Sequence, residues 1–249
     1  MQRLVGLVRR CVDDYNMISP GEKIAVGVSG GKDSLALLVL LAALREYHPT
    51  QFTLEAFTID LGLEGMDFTP VAEFCEKLGV PYHQIKTEIA PVIFQHRKEK
   101  NPCALCSKMR RGALSNAIKE AGISKIALGH HYDDAVETFL LSLFYEGRIS
   151  CFEPKTYLDR TEVTQIRPLL YLGEKSIENL AQKLHLPVVE NTCPMDKNSK
   201  RQEVKNLVAE LSERYPDLKS KIFGAMQRLP LPQWGVEEPT RRPLPDMDV

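Results

Sequence analysis

No stretch of this sequence reaches the roughly 18 uninterrupted apolar residues that a membrane-spanning helix requires; the longest apolar run, Leu35 to Leu44, stops at Arg45. A signal peptide is lacking as well. Met1-Gln2-Arg3-Leu4 leads into an amphipathic pattern with Arg9, Arg10, Asp13 and Asp14, with no apolar core or small-residue cleavage site. These absences argue against membrane and secreted classes, and the expected location is the cytoplasm. Charge of one sign is also missing. A net charge of -1 gives no global attraction to nucleic acid, so any RNA contact must come from a local patch. The six cysteines (Cys11, Cys75, Cys103, Cys106, Cys151, Cys193) are expected to be reduced in the cytoplasm, so a functional set among them points to metal binding or catalysis rather than a disulfide framework. No internal repeat is present.

What the sequence does contain is alternation. Strand-like runs at 24–28, 52–59, 82–85, 126–128 and 163–167 alternate with helical stretches at 35–46, 70–78, 105–121 and 134–144. That order predicts an α/β fold: an open, mostly parallel sheet with helices on both faces and right-handed crossovers. Residues 1–22 read as an N-terminal helix covering the domain edge, ended by Ser19-Pro20-Gly21, and 23–228 as one domain. Its helical C-terminal extension has helices near 174–184, 201–211 and 217–227. Residues 229–249, rich in proline and carrying the lone tryptophan, Trp234, read as a flexible tail.

The buried-strand signature Ile24-Ala25-Val26-Gly27-Val28 runs directly into Ser29-Gly30-Gly31-Lys32-Asp33-Ser34 and then a helix. Two glycines at a helix N-terminus let backbone N–H groups turn toward an anion, with the helix dipole in support. The hydroxyls of Ser29 and Ser34 add donors, and Lys32 adds a point charge. A Walker A loop would need glycine where Val26 stands, so this is a different phosphate cradle. The alternative is a plain strand-to-helix turn capped by Asp33. Asp60 closes the Phe57-Thr58-Ile59 strand at the edge where open α/β sheets bind ligands; it reads either as a nucleotide or substrate contact or as a turn residue.

Pro102-Cys103-Ala104-Leu105-Cys106 opens a helix, whose dipole favours thiolates. Alone, such a pair fits half a zinc site, a redox couple or iron-sulfur ligation. Cys193, in Asn191-Thr192-Cys193-Pro194, is a third thiol that a parallel fold can return to the same edge, and three thiols hold three irons of a four-iron cluster. Cys11, Cys75 and Cys151 read as buried structural cysteines. Gly129-His130-His131 ends a strand and Asp133-Asp134, with Glu137, opens a helix. Gly129 permits close approach of a nucleotide, and Asp133 can orient a metal or move a proton, against a capping role. Basic residues flank both cysteine segments: Arg97, Lys98, Lys100, Lys108, Arg110 and Arg111 about the pair, and Lys197, Lys200, Arg201 and Lys205 after Cys193. They are either a solvated face or an RNA-backbone contact.

Ser-Gly-Gly-Lys-Asp-Ser at 29–34 resembles the PP-loop of the ATP-pyrophosphatases. Together with Cys103 to Gly112, Gly129 to Asp134 followed by Glu137-Thr138, and Cys193 ahead of Arg201, the chain is similar over about residues 20–228 to the tRNA 2-thiocytidine synthetase family. The resemblance implies an adenine nucleotide alpha hydrolase-like fold and an enzyme that cleaves ATP to AMP and diphosphate. ATP would be bound by Ser29, Gly30, Gly31, Lys32, Asp33 and Ser34, with Asp60 and Gly129 beside it, and Lys32, Asp60 and Asp133 would serve catalysis. Mg2+ would offset phosphate charge, and a [4Fe-4S] cluster would sit on Cys103, Cys106 and Cys193. The implied reaction adenylates the C2 oxygen of a pyrimidine, cytidine 32 of a tRNA anticodon loop, and replaces it with sulfur from a cysteine desulfurase or free sulfide. A homodimer is the implied assembly. Synthesis of 2-thiouridine, or an amide or lysidine-type ligation, is the alternative.

Overall fold

The computed structural model describes residues 1–96, 102–195 and 200–228. The expected tail at 229–249 and four basic residues of the flanking clusters, Arg97, Lys98, Lys100 and Lys197, lie outside the described residues.

An amphipathic helix α1 (Gln2–Asp14) buries Leu7, Val8, Cys11 and Val12. It leads to β1 (Glu22–Gly27), α2 (Lys32–Arg45), β2 (Phe52–Asp60), α3 (Thr69–Lys77) and β3 (Tyr82–Lys86). A single turn α4 (Ile89–Pro91) widens into a π-helical turn over Val92–His96, and α5 (Pro102–Glu120), β4 (Lys125–Ala127) and α6 (Tyr132–Leu141) follow. Beyond a second π turn at Ser142–Glu146 come β5 (Lys155–Leu158), β6 (Val163–Ile166), α7 (Glu174–Lys183), α8 (Lys200–Arg214) and α9 (Leu218–Arg228).

Six strands form one sheet in the order β3-β2-β1-β4-β6-β5. All neighbours are parallel except the β5–β6 pair, which is antiparallel. After β1 the chain builds outward through β2 and β3, then returns to the other side of β1 with β4. The strand order therefore reverses between β1 and β4, and at such a point the connections diverge and leave a crevice at the carboxyl edge.

Period-2 alternation divides the core between two faces. Ile24, Val26, Leu54 and Ala56 face α2, whose Leu35 to Leu41 are nearly all buried because α1 and α7 cover its outer side. Ala25, Phe57, Ile126 and Val163 face the other way, onto Ala117 and Ile118 of α5. The C-terminal helices pack on the elements before them: α7 on α2, and α8 and α9 on α6. Among the described residues no helix is long and apolar enough to cross a membrane.

The sequence reading missed β5. Its residues Lys155-Thr156-Tyr157-Leu158 show only half-buried or exposed positions, since the strand lies at the sheet edge and one side of it has no partner among the described residues. The phosphate-loop helix also begins earlier than the apolar run predicts, at Lys32 rather than Leu35, which brings Lys32, Asp33 and Ser34 into its first turn.

Candidate active site

The loop after β1 and the residues after β4 meet at the strand-order reversal. Gly31, in extended backbone, is the N-cap of α2, and Ser34 Oγ ties the loop together: it donates to the Gly31 carbonyl (2.9 Å) and accepts from the Ser29 N–H (3.1 Å). Gly30 has φ +85°, and a Cβ there would lie 2.9 Å from Val189 Cβ. The approach is that close because the Val189 N–H donates to the Gly30 carbonyl (3.0 Å), binding the segment before Cys193 to the loop. Gly129 has a comparable reason to be glycine: an added Cβ would stand 3.1 Å from Ser34 N and from the Asp33 carbonyl carbon. The sequence had assigned Gly129 to nucleotide approach; in the fold it also admits the first turn of α2.

These residues border an open cleft of about 880 Å³ at the carboxyl edge of the sheet. Ser29, Gly31, Asp33, Ser34 and Gly129 line it together with Cys103, Cys106 and Cys193. Cys103 and Cys106, three residues apart near the start of α5, share one helix face. Cys193 arrives on a loop held at two further points, by Thr192 Oγ1 donating to the Glu64 carbonyl (3.0 Å) and by the Asn191 side chain accepting from the Cys193 N–H (3.1 Å). Burial raises the Cys106 thiol pKa; Arg110 opposes this, while the Cys193 and Cys103 thiols act electrostatically in the same direction as burial. Three soft sulfur donors within mutual electrostatic reach, one exposed and two half-buried, suit an iron-sulfur group. Among the described residues no group of three or more His, Cys, Asp or Glu is gathered to hold a single metal ion.

Lys32 leans away from the open cleft toward α7. Its Nζ pairs with Glu174 (3.0 Å) and Asp33 (3.2 Å). Burial lowers the Lys32 pKa, but the two carboxylates outweigh it and the net shift is upward. Glu174 also accepts from Lys205 of α8 at 2.7 Å; burial would raise its pKa, yet the two lysines hold it down at about 2. Asp33 Oδ1 is buried beside the loop, 3.2 Å from Lys32 Nζ, and as a hard oxygen donor next to the phosphate cradle this carboxylate fits Mg2+.

Asp60 and Asp133 are not brought into the cleft wall. Asp60 turns into its own loop, accepting from the Gly62 N–H (3.0 Å) and from Gln84 (3.0 Å). Asp133 is buried, 4% exposed, and accepts from the Glu174 N–H and from Lys219 Nζ, both at 2.7 Å. Its neighbour Asp134 is the one that lines the cleft. There it completes a capping box by accepting from the His131 N–H, and it also pairs with Arg201 (3.0 Å). The basic residues sort likewise. Lys108, Arg110 and Arg111 are exposed beside the cysteine pair, whereas Lys200, Arg201 and Lys205 are spent on Glu203, Asp134 and Glu174.

Residues 7–211 match the PP-loop domain family. A tRNA-cytidine(32) 2-sulfurtransferase of Burkholderia cenocepacia (strain HI2424) is 37% identical over 230 residues, 92% of this chain and 70% of that protein. One from Burkholderia mallei (strain SAVP1) is 39% identical over 227 residues, 90% and 69% of the two chains. The chain belongs to this PP-loop family. Among solved structures, the U34-tRNA thiolase NcsA from Methanococcus maripaludis with its [4Fe-4S] cluster superposes with a TM-score of 0.72 at 26% identity, covering 89% of this chain and 76% of that one.

For a PP-loop protein, sequence reasoning missed the far end of the cleft, where Phe152, Gln165 and Arg167 lie. Arg167 directly follows β6 and is 6% exposed; a charged residue next to the strand's buried Ile166 was the available signal. Glu174, which binds the loop lysine from 142 positions away, had no local signal at all.

Proposed function

We propose that this chain is an ATP-dependent tRNA thiolase that adenylates the C2 oxygen of a pyrimidine, cytidine 32 of the anticodon loop, and replaces it with sulfur to give 2-thiocytidine, AMP and diphosphate. The observation that carries this reading is the convergence of the phosphate loop and three cysteines from distant segments on one cleft. Membership of a PP-loop family whose relatives are tRNA-cytidine(32) 2-sulfurtransferases supports it.

A C2 oxygen is a poor leaving group, and its bond to AMP makes it a good one. The N–H groups and hydroxyls of residues 29–34 hold the triphosphate at the N-terminus of α2, where the dipole favours anions. Lys32, kept protonated by its carboxylate neighbours, is the loop's cation for the departing diphosphate, which it meets by turning from Glu174 toward the cleft. Asp33 is the carboxylate for Mg2+, which offsets phosphate charge when bound. Attack by the base oxygen on the α-phosphorus forms the O–P bond and breaks the bond to diphosphate. Sulfur then attacks C2, and AMP leaves with the oxygen. A [4Fe-4S] cluster held by Cys103, Cys106 and Cys193 supplies, when bound, an iron without a protein ligand for delivery of the incoming sulfur. Lys108, Arg110 and Arg111 give the RNA backbone a positive rim beside the thiols.

The sulfur comes from a cysteine desulfurase or free sulfide, the chain works in the cytoplasm, and it acts as a homodimer. The decisive experiment incubates unmodified tRNA anaerobically with cluster-reconstituted protein, ATP, Mg2+ and sulfide, then digests it for nucleoside mass spectrometry. The expected product is 2-thiocytidine that requires ATP and disappears when any of the three cysteines is alanine. AMP formation without a thiolated nucleoside overturns the thiolation reading and leaves an adenylating enzyme of another kind.

A further inference from the structure

One end of the cleft is not used by the phosphate loop or the thiols. Strands β4 and β6 are adjacent and parallel, so their carboxyl ends deliver His130 and Arg167 to the same place, with Gln165 two residues earlier on β6. Phe152, in the segment before β5, stands against both: its ring lies 4.9 Å from the His130 ring, and the Arg167 guanidinium carbon is 4.8 Å from its centroid.

The free polar groups of Gln165 and Arg167 at this end are donors. Arg167 Nη1 donates to the Glu153 carbonyl and to Thr156 (3.2 Å), and Nη2 donates to Gln165 Oε1 (3.3 Å). Because the Gln165 oxygen accepts from Arg167, what its side chain has left for the cleft is the amide nitrogen. Arg167 Nε is buried and has no partner, although the residue is 94% buried; the buried His130 Nδ1 has none either. Asp134, a carboxylate of the cleft lining, has both oxygens engaged, by Arg201 and by the His131 N–H.

Resting on the thiolation reading, we infer that this end of the cleft seats the target base and that its donor lining, Gln165 and Arg167, selects cytosine over uracil. Cytosine presents O2 and N3 side by side as acceptors, whereas uracil carries a proton on N3. A donor meeting that proton loses its partner, and an unsatisfied buried donor costs roughly a factor of 5 to 150 in affinity, about 1–3 kcal/mol. Bases of single-stranded loops are splayed out against aromatic side chains when proteins read them, and Phe152 is an aromatic side chain of this part of the cleft lining, its ring already carrying the Arg167 guanidinium.

The test uses two anticodon stem-loops identical except for cytosine or uracil at the target position, with equilibrium binding and thiolation rates measured separately. Wild-type protein is expected to favour the cytosine loop about tenfold or more in binding. Gln165→Leu, which removes the donor, and Gln165→Glu, which replaces it with an acceptor, should narrow that ratio, the latter further, with the KM for ATP unchanged. Phe152→Ala should weaken both loops equally, by about tenfold. Equal binding of the two loops by wild-type protein overturns the inference, as does an unchanged ratio in both Gln165 variants. An effect confined to the ATP KM also overturns it, because this end of the cleft would then hold adenine. Absence of any thiolated nucleoside with the cytosine preference in binding intact sinks the thiolation chemistry while leaving the base seat standing.

Discussion

A Cβ at residue 129 would stand 3.1 Å from backbone atoms of Asp33 and Ser34, and backbone yields less readily than the end of a flexible side chain. Gly129→Ala is therefore expected to push the first turn of α2 by a few tenths of an ångström, at a stability cost of about 1 kcal/mol. The larger effect falls on catalysis, since the donors that hold the triphosphate move with that turn: kcat/KM for ATP should fall at least roughly tenfold, measured as AMP formation. Glu137 carries a second residue-scale prediction. Burial, then the neighbouring Asp134, raises its pKa to about 7. A carboxyl raised above its unfolded value binds its proton more tightly in the native state. Its stability contribution is then complete below about pH 4.5 and is lost as pH rises through about 7. Glu137→Gln, which cannot ionise, should leave the melting temperature nearly unchanged at pH 4.5 and raise it at pH 8, by an amount corresponding to about 2 kcal/mol. Equal shifts at both pH values would exclude a buried, neutral-favouring Glu137.

At the scale of elements, the third cysteine depends on a loop with few anchors. Val189 binds Gly30, and Thr192 Oγ1 binds the Glu64 carbonyl. Thr192→Val keeps the shape and removes the donor, so global stability should change by under about 1 kcal/mol. Iron and acid-labile sulfide per chain after reconstitution should drop nonetheless, because Cys193 no longer sits at a fixed height over α5. These anchors also mark how far the sequence could be read. The parallel sheet was legible because fully buried strands such as Ile24 to Val28 are apolar throughout and alternate with helical patterns. The phosphate loop and the Cys103–Cys106 pair stand out as compact motifs, whereas Cys193 belongs to a distant segment. The roles of Asp60 and Asp133 were not legible, since whether a carboxylate at a strand end or helix start faces a ligand or the protein depends on partners far away in sequence. Gln84 and Lys219, which hold these two, are 24 and 86 positions distant. The edge strand β5 escaped for a related reason: with one side unpaired among the described residues and its residues half exposed, no burial pattern marks it.

On the scale of the whole molecule, two carboxylates join the C-terminal helices to the nucleotide end of the sheet. Asp133, at the start of α6, accepts from the first N–H of α7 and from Lys219 on α9, while Glu174 links α7 to Lys32 on α2 and Lys205 on α8. The C-terminal helices thereby also set the position of the loop lysine. Breaking this chain at its outer link separates stability from chemistry. Lys219→Met leaves the buried Asp133 carboxylate with the Glu174 N–H but without its cation, and removing one partner of a buried pair is costly because the remaining charge is uncompensated. Lys219 is itself 29% exposed, so the loss should be moderate, about 2 kcal/mol, read as a shift in the urea midpoint with an unchanged slope. Once α7 is less firmly held, Glu174 no longer fixes Lys32, and the KM for ATP should rise severalfold even at temperatures where the variant is fully folded. Asp133→Asn keeps the acceptor for the α7 N–H and removes the charge that Lys219 balances, so it should recover most of the lost stability in the Lys219→Met background. Failure of the double variant to do so would mean that Lys219 acts through contacts other than this carboxylate, and the link from α9 to the loop would not hold.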